Sequence, residues 1–171
     1  MVSIIIISYN TQDLTRQCLE SIEKYVDLKQ HEVIVVDNGS TDGSAEMIEK
    51  DFKFVHLIIN SSNLGFAIAN NQAIKIAKGD LIWLLNSDTQ LTQKGMPEKL
   101  EEFFQQHPEA GALATRLLNP DGSDQPSLFH FPTLWRGIKQ YWLGRKRWFD
   151  KYQPTLPAPS NPFPDQVEDR L

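Results

Sequence analysis

Two aspartates stand at the ends of two apolar runs. Ile34-Val35-Val36-Asp37 leads into Asn38-Gly39-Ser40-Thr41-Asp42-Gly43-Ser44, and Leu81-Ile82-Trp83-Leu84-Leu85 leads into Asn86-Ser87-Asp88-Thr89. Each run is short, continuous and bounded by turn residues, so each reads as a strand buried on both faces. A carboxylate at the carboxyl end of a buried parallel strand stands at the rim of the sheet, where open α/β folds bind ligands. Two such carboxylates suggest a nucleotide site, one holding a base or ribose and the other a metal-bound diphosphate.

The elements that position them alternate. Strands are expected over Val2–Ser8, Glu32–Asp37, Phe54–Asn60, Asp80–Leu85 and Ala112–Leu118. Helices are expected from Thr11 to about Tyr25, Asp42 to Asp51, Gly65 to Lys78 and Gly95 to Gln106. In the first helix Leu14, Cys18, Ile22 and Tyr25 recur at helical spacing, and Asn10 or Thr11 is available as its cap. Ser40 or Thr41 can cap the second. Ala67, Ala69, Ala73 and Ala77 would let the third lie close on the sheet, with Gly79 as its stop. Repeated βα units force parallel strands, right-handed crossovers and helices on both faces. The fold class is therefore α/β, a Rossmann-like open, mostly parallel sheet.

Bulk properties narrow the function. The chain has 171 residues, enough for one domain with a sizeable core. Its net charge of -5 argues against nucleic-acid binding. Cys18 is the single cysteine, reads as core, and leaves no internal disulfide framework. The apolar start at Val2–Ile7 is too short for a secretory h-region, and no run reaches the ~20 apolar residues of a membrane span. A cytoplasmic protein is expected. The glycosylation patterns at Asn38 and Asn60 lack a secretory context and are discounted.

The character changes after residues 1–125, the stretch expected to be a nucleotide-binding domain. Residues 126–152 form a basic aromatic segment, expected to be partly helical. Trp135, Tyr141, Trp142, Trp148, Phe149 and Tyr152 stand there among Arg136, Lys139, Arg145, Lys146, Arg147 and Lys151. One reading of 134–152 is a surface that meets the inner face of an anionic membrane or a lipid-linked acceptor. The other is an amphipathic helix that packs on further protein, or on a second copy as a homodimer. Residues 153–171 hold five prolines and read as an irregular tail.

No glycine-rich dinucleotide fingerprint follows the first strand, which leads into Ser8-Tyr9-Asn10, and no P-loop is present. Four ordered blocks are present instead: VSIIIISYN, VIVVDNGSTDGS, NLGFAIANNQAI and LIWLLNSDT. Together they resemble the nucleotide-binding half of a family 2 glycosyltransferase with the GT-A fold, over about residues 1–125. The NSDT form is similar to the rhamnosyltransferase-like branch, which builds bacterial surface polysaccharides.

The resemblance implies roles that suit the residue types. Tyr9 would stack on a pyrimidine, because a flat ring offers contact area at low entropic cost. Ser8 and Asn10 would lie near the base. Asp37 would accept the imide N–H of uracil or thymine, being acceptor-only when ionised; its competing role is a turn cap. Gly39 and Ser40 would bring backbone to the ligand. Asn63 and Gly65 would run beside the nucleotide, while Asn70 reads as structural. Asp88 would hold Mn²⁺ or Mg²⁺ on the diphosphate. Asn86 replaces the first acid of the family's D-x-D motif, so with Ser87 it is assigned to the nucleotide.

The implied reaction is inverting transfer of a sugar, such as rhamnose, from a dTDP- or UDP-linked nucleoside-diphosphate sugar to a glycan or lipid-linked acceptor. The family's catalytic base is an acidic residue, often in a Glu-Asp pair, which deprotonates the acceptor hydroxyl. Glu168-Asp169 lacks the family's surroundings and is read as a chance match. The base is expected beyond Leu171, in about a further hundred residues, and this chain alone is expected to be weakly active or inactive. A nucleotidyltransferase would need a glycine-rich basic loop after the first strand, which SYNTQDLT does not offer. A non-catalytic nucleotide-binding or assembly module that needs a partner chain stays as the alternative.

Overall fold

The computed structural model describes residues 1–125 and the strand Val167–Asp169. Three βα units and a fourth strand open the chain: β1 (Val2–Ser8), α1 (Gln12–Tyr25), β2 (Glu32–Asp37), α2 (Ser44–Asp51), β3 (Val55–Ile59), α3 (Phe66–Ile76) and β4 (Leu81–Asn86). Then come β5 (Thr89–Leu91), α4 (Met96–Gln106), β6 (Leu117–Leu118) and β7 (Val167–Asp169).

β1 to β4 form one parallel sheet in the order β3-β2-β1-β4. The chain steps outward from β1 to β3, then crosses back to lay β4 on the other side of β1. The strand order therefore reverses between β1 and β4, and their carboxyl ends flank the crevice where such sheets take ligands.

Period-two alternation sorts the isoleucines of β1 to both faces. Ile4 and Ile6 join Val33, Val35, Leu19, Ile22, Ile48 and Leu100, which places α1, α2 and α4 on one face. Ile5 joins Ile34, Val36, Ala69 and Ala73, which places α3 on the other. The small side chains at Ala69 and Ala73 let α3 approach β1 and β2 closely. Cys18 is buried in the larger core, as its helical spacing predicts.

Several elements differ from the sequence expectation. β2 is buried on both faces, but β4 is not: Trp83 and Leu85 are buried, whereas Ile82 and Leu84 are 40% and 50% exposed. The reason is position. β2 lies inside the sheet under helices on both sides, while β4 is its edge and α3 packs over β1 and β2. The strand expected over Ala112–Leu118 shrinks to β6. It joins a second, three-stranded sheet in the order β5-β7-β6 and does not extend the main one. The tail expected to be irregular contributes β7 to that sheet. No side-chain cap forms at the start of α1 or α2, whose N-cap positions are Thr11 and Gly43. Gly79 is not the stop of α3, which ends at Ile76. A Cβ at Gly79 would lie 2.6 Å from the Ser3 backbone nitrogen, so the glycine permits a close crossing onto β1.

No helix among the described residues is long and apolar enough to cross a membrane. The basic aromatic stretch 134–152 lies outside the described residues.

Candidate functional site

Strand register sets the level of the site. Ser8 pairs with Asp37, and Ile7 pairs with Asn86. Three strand ends therefore bring Ser8-Tyr9, Asp37 and Asn86-Ser87-Asp88 to one edge of the sheet.

Asp37 is 1% exposed. Its Oδ1 accepts the Ser40 backbone N–H at 2.9 Å, so half of the carboxylate closes the loop after β2. Its Oδ2 is buried and has no hydrogen-bond partner among the described residues. A buried acceptor left unmatched is costly, and native structures keep few of them. Turn cap and ligand acceptor are thus not rival roles, because each oxygen can serve one. Tyr9 lies just past β1, is 46% exposed, and belongs to neither core cluster, so its ring faces outward and not into the core.

Asn10, Ser40 and Gly39 make contacts within the protein. Asn10 sits at φ 53°, a left-handed conformation that asparagine tolerates better than most residues. Its backbone N–H donates to Ser40 Oγ at 2.9 Å, and its Oδ1 accepts the Thr41 N–H at 2.8 Å. Asp42 completes the clamp by accepting the Gln12 N–H at 2.9 Å. These bonds tie the turn carrying Tyr9 to the loop after Asp37. Burial works to raise the Asp42 carboxyl, but the Ser44 hydroxyl and the Gln12 and Ser44 N–H groups together hold it below the ordinary carboxylate range. Gly39 makes its close approach to protein: a Cβ there would lie 2.7 Å from the Ser62 backbone.

A cluster of hydroxyls links the end of β1, the start of α1 and the turn after β4. Ser8 Oγ is 3.0 Å from Thr15 Oγ1 and 3.3 Å from Thr11 Oγ1, and Thr11 Oγ1 is 3.4 Å from Ser87 Oγ. Ser8 is fully buried, so its hydroxyl positions the strand ends from below. Cys18 adds to this, its thiol directed at the Asn86 carbonyl at 3.7 Å. Burial first, and then the negative charge of Asp88, push that thiol far up, which makes it an unreactive core group. Asn86 is exposed at the end of β4, and Asp88 occupies the turn between β4 and β5. Among the described residues no group of three or more His, Cys, Asp and Glu could by itself hold a metal ion.

Asn63 and Gly65 adjoin the same edge through the loop after β3. Asn63 Oδ1 accepts from Gly65 N and from Asn38 Nδ2, both at 2.9 Å. Asn70 is buried and donates to the Phe66 carbonyl one turn earlier, the structural role expected of it. The Glu168-Asp169 pair, read from sequence as a chance match, enters through β7. Asp169 pairs with Thr89 and Glu168 with Gln90, directly after Asp88. Thr11, Thr15 and Asp42 were missed by sequence reasoning. Their only signal is a hydroxyl or carboxylate at i+3, i+7 or beyond a strand end, which many structural residues share.

A parallel sheet in this order, with helices on both faces, is the Rossmann-like half of the GT-A glycosyltransferase fold. The S. aureus TarS fragment in complex with UDP-GlcNAc superposes with a TM-score of 0.55 at 26% identity, over 69% of this chain and 33% of that one. The chain belongs to glycosyl transferase family 2, whose family model matches residues 3–157. It is 34% identical over 141 residues to a chondroitin synthase of Pasteurella multocida, covering 80% of this chain and 14% of that protein. It is 32% identical over 143 residues to N-acetylglucosaminyl-diphospho-decaprenol L-rhamnosyltransferase of Mycobacterium tuberculosis, covering 75% and 46%. The chain thus spans less than half the length of each of these relatives.

Proposed function

We propose that this chain carries the sugar-nucleotide site of an inverting glycosyltransferase that uses a UDP- or dTDP-linked sugar. The observation that supports this best is the unmatched Asp37 Oδ2, buried at the carboxyl end of β2, where Asp37 pairs with Ser8, the residue before the exposed Tyr9. A uracil or thymine imide N–H would supply the missing partner while the ring stacks on the base. Nucleotide binding by TarS at 25–26% identity supports the same reading, since one of its structures holds UDP and another UDP-GlcNAc.

Asp88, with the Asn86 amide oxygen nearby, suits a divalent cation only in company. Mg²⁺ and Mn²⁺ are commonly held by one or two carboxylates together with substrate phosphates and water, and one carboxylate meets that minimum. The cation, when bound, would neutralise charge on the leaving diphosphate. The rhamnosyltransferase and chondroitin synthase relatives support a glycan or lipid-linked acceptor in surface polysaccharide synthesis, with rhamnose among the sugars to test.

The second reading, a nucleotide-binding module completed by a partner chain, differs in where the base comes from. The register of β7 favours a base in this chain, because it brings Glu168-Asp169 alongside the strand that follows Asp88.

Titration calorimetry with UDP, dTDP and GDP, with and without Mn²⁺, tests the site. Binding of the two pyrimidine nucleotides above GDP, strengthened by Mn²⁺ and made metal-independent in Asp88→Ala, is expected. Failure of all three to bind would overturn the reading.

A further inference from the structure

Four side-chain amides form one hydrogen-bonded line beneath the loops that carry Asp37 and Asn63. Gln72 on α3 and Asn60 at the end of β3 exchange two bonds: Asn60 Nδ2 donates to Gln72 Oε1 at 2.9 Å, and Gln72 Nε2 donates to Asn60 Oδ1 at 3.0 Å. Asn60 Nδ2 also donates to Asn38 Oδ1 at 3.1 Å. Asn38 Nδ2 then donates to Asn63 Oδ1 at 2.9 Å.

Two backbone groups dictate the direction of the line. The N–H of Leu64 donates to Asn38 Oδ1, and the N–H of Gly65 donates to Asn63 Oδ1. A backbone N–H can only donate, so both side chains must present oxygen there. That orients Asn38, and Asn38 in turn orients Asn60 and Gln72. Asn38 and Asn60 are both buried, so a reversed amide would set two acceptors against each other away from water.

The line spans the two segments that frame the candidate site. Asn38 directly follows Asp37, and the Asn60 backbone N–H donates to the Asp37 carbonyl at 2.9 Å. Leu64 and Gly65 lie in the loop on the other side. These loops already touch where Gly39 meets the Ser62 backbone.

We propose that Gln72 is a positioning residue for the nucleotide: through Asn60 and Asn38 it sets the spacing between Asp37 and the Asn63-Gly65 turn. This rests on the nucleotide reading of the site. Gln72 belongs to the helix body and to none of the strand-end segments that would meet the ligand, so its effect on binding is indirect.

The test compares Gln72→Met and Gln72→Glu with the wild-type chain, reading UDP affinity by calorimetry across a pH series alongside thermal unfolding. Gln72→Met is expected to weaken UDP binding about tenfold, the effect of losing a half-buried hydrogen-bonded pair. Gln72→Glu is expected to bind as weakly near neutral pH, where its carboxylate faces Asn60 Oδ1. On acidification the protonated acid regains a donor there, and its affinity relative to wild type at the same pH should recover. Gln72→Met should show no such recovery. A role confined to stability would lower the unfolding temperature and leave affinity unchanged in both variants. That result, or a Gln72→Glu deficit insensitive to pH, would overturn the proposal. If the wild-type chain binds no nucleotide, the site reading fails and this inference fails with it. If wild type binds and Gln72→Met binds equally, only this inference falls.

Discussion

The Asp37 carboxylate divides its oxygens: Oδ1 accepts the Ser40 backbone N–H at 2.9 Å, while buried Oδ2 meets no hydrogen-bond donor among the described residues. The loop bond holds the group in place, and the other oxygen stays available to a ligand.

Asp37→Asn separates those two functions. The amide oxygen can keep the Ser40 bond, but an NH₂ would then face the ligand. UDP binding should fall by about 1–3 kcal/mol, the cost of an unmatched buried partner. CDP binding should rise relative to UDP, because cytosine offers an acceptor at N3. Calorimetry with the two nucleotides measures the exchange, and an unchanged UDP-to-CDP ratio would rule out the base contact.

Tyr9→Ala should weaken UDP binding by about 1–3 kcal/mol, the usual range for base stacking on an aromatic ring. Tyr9→Phe should keep most of the affinity, since the ring face is retained. Tyr9 lies outside both cores, so the alanine variant should unfold near the wild-type temperature.

Gly39 and Gly95 have nearly the same φ, 84° and 83°. Alanine at either adds left-handed strain of about 1–2 kcal/mol. Only Gly39→Ala also drives a Cβ into the Ser62 backbone, whereas a Cβ at Gly95 meets nothing within 4 Å. Denaturant unfolding should therefore show the larger loss for Gly39→Ala, and only that variant should lose nucleotide affinity.

Asp42 makes the clamp between the Tyr9 turn and the Asp37 loop sensitive to acid. Hydrogen bonds hold its folded-state carboxyl below the ordinary value of 3.8. A lowered folded-state value stabilises the protein above the unfolded-state value, and that contribution is lost as pH falls through the folded-state value. Asp42→Asn should thus be less stable than wild type near neutral pH, with the gap closing below about pH 4. Urea midpoints across that range check the sign, and a gap that widens in acid would refute it.

Glycosyltransferase family and parallel-sheet class were legible from one dimension. Apolar runs of strand length, amphipathic α1 and four ordered blocks depend on local pattern, and local pattern survives in sequence. So did the strand-end placement of Asp37 and Asp88, because a strand's end is marked by its own turn residues. What sequence did not determine depended on neighbours far along the chain. Ile82 and Leu84 read as buried, but burial on both faces needs a cover, and α3 lies over β1 and β2. Gly79 read as a helix stop, yet it is required by the crossing backbone at Ser3, and the close approach of Gly39 to the Ser62 backbone had no sequence signal. The pairing of β7, which carries Glu168-Asp169, with β5 was not legible, because no local pattern announces it. Asn60 and Gln72 carried no signal at all, since an amide shows its role only when its partners are brought within 3 Å of it. Residue type and period decided which elements form; only the tertiary structure decided which polar atoms meet, because hydrogen bonds between distant segments depend on packing and not on spacing along the chain.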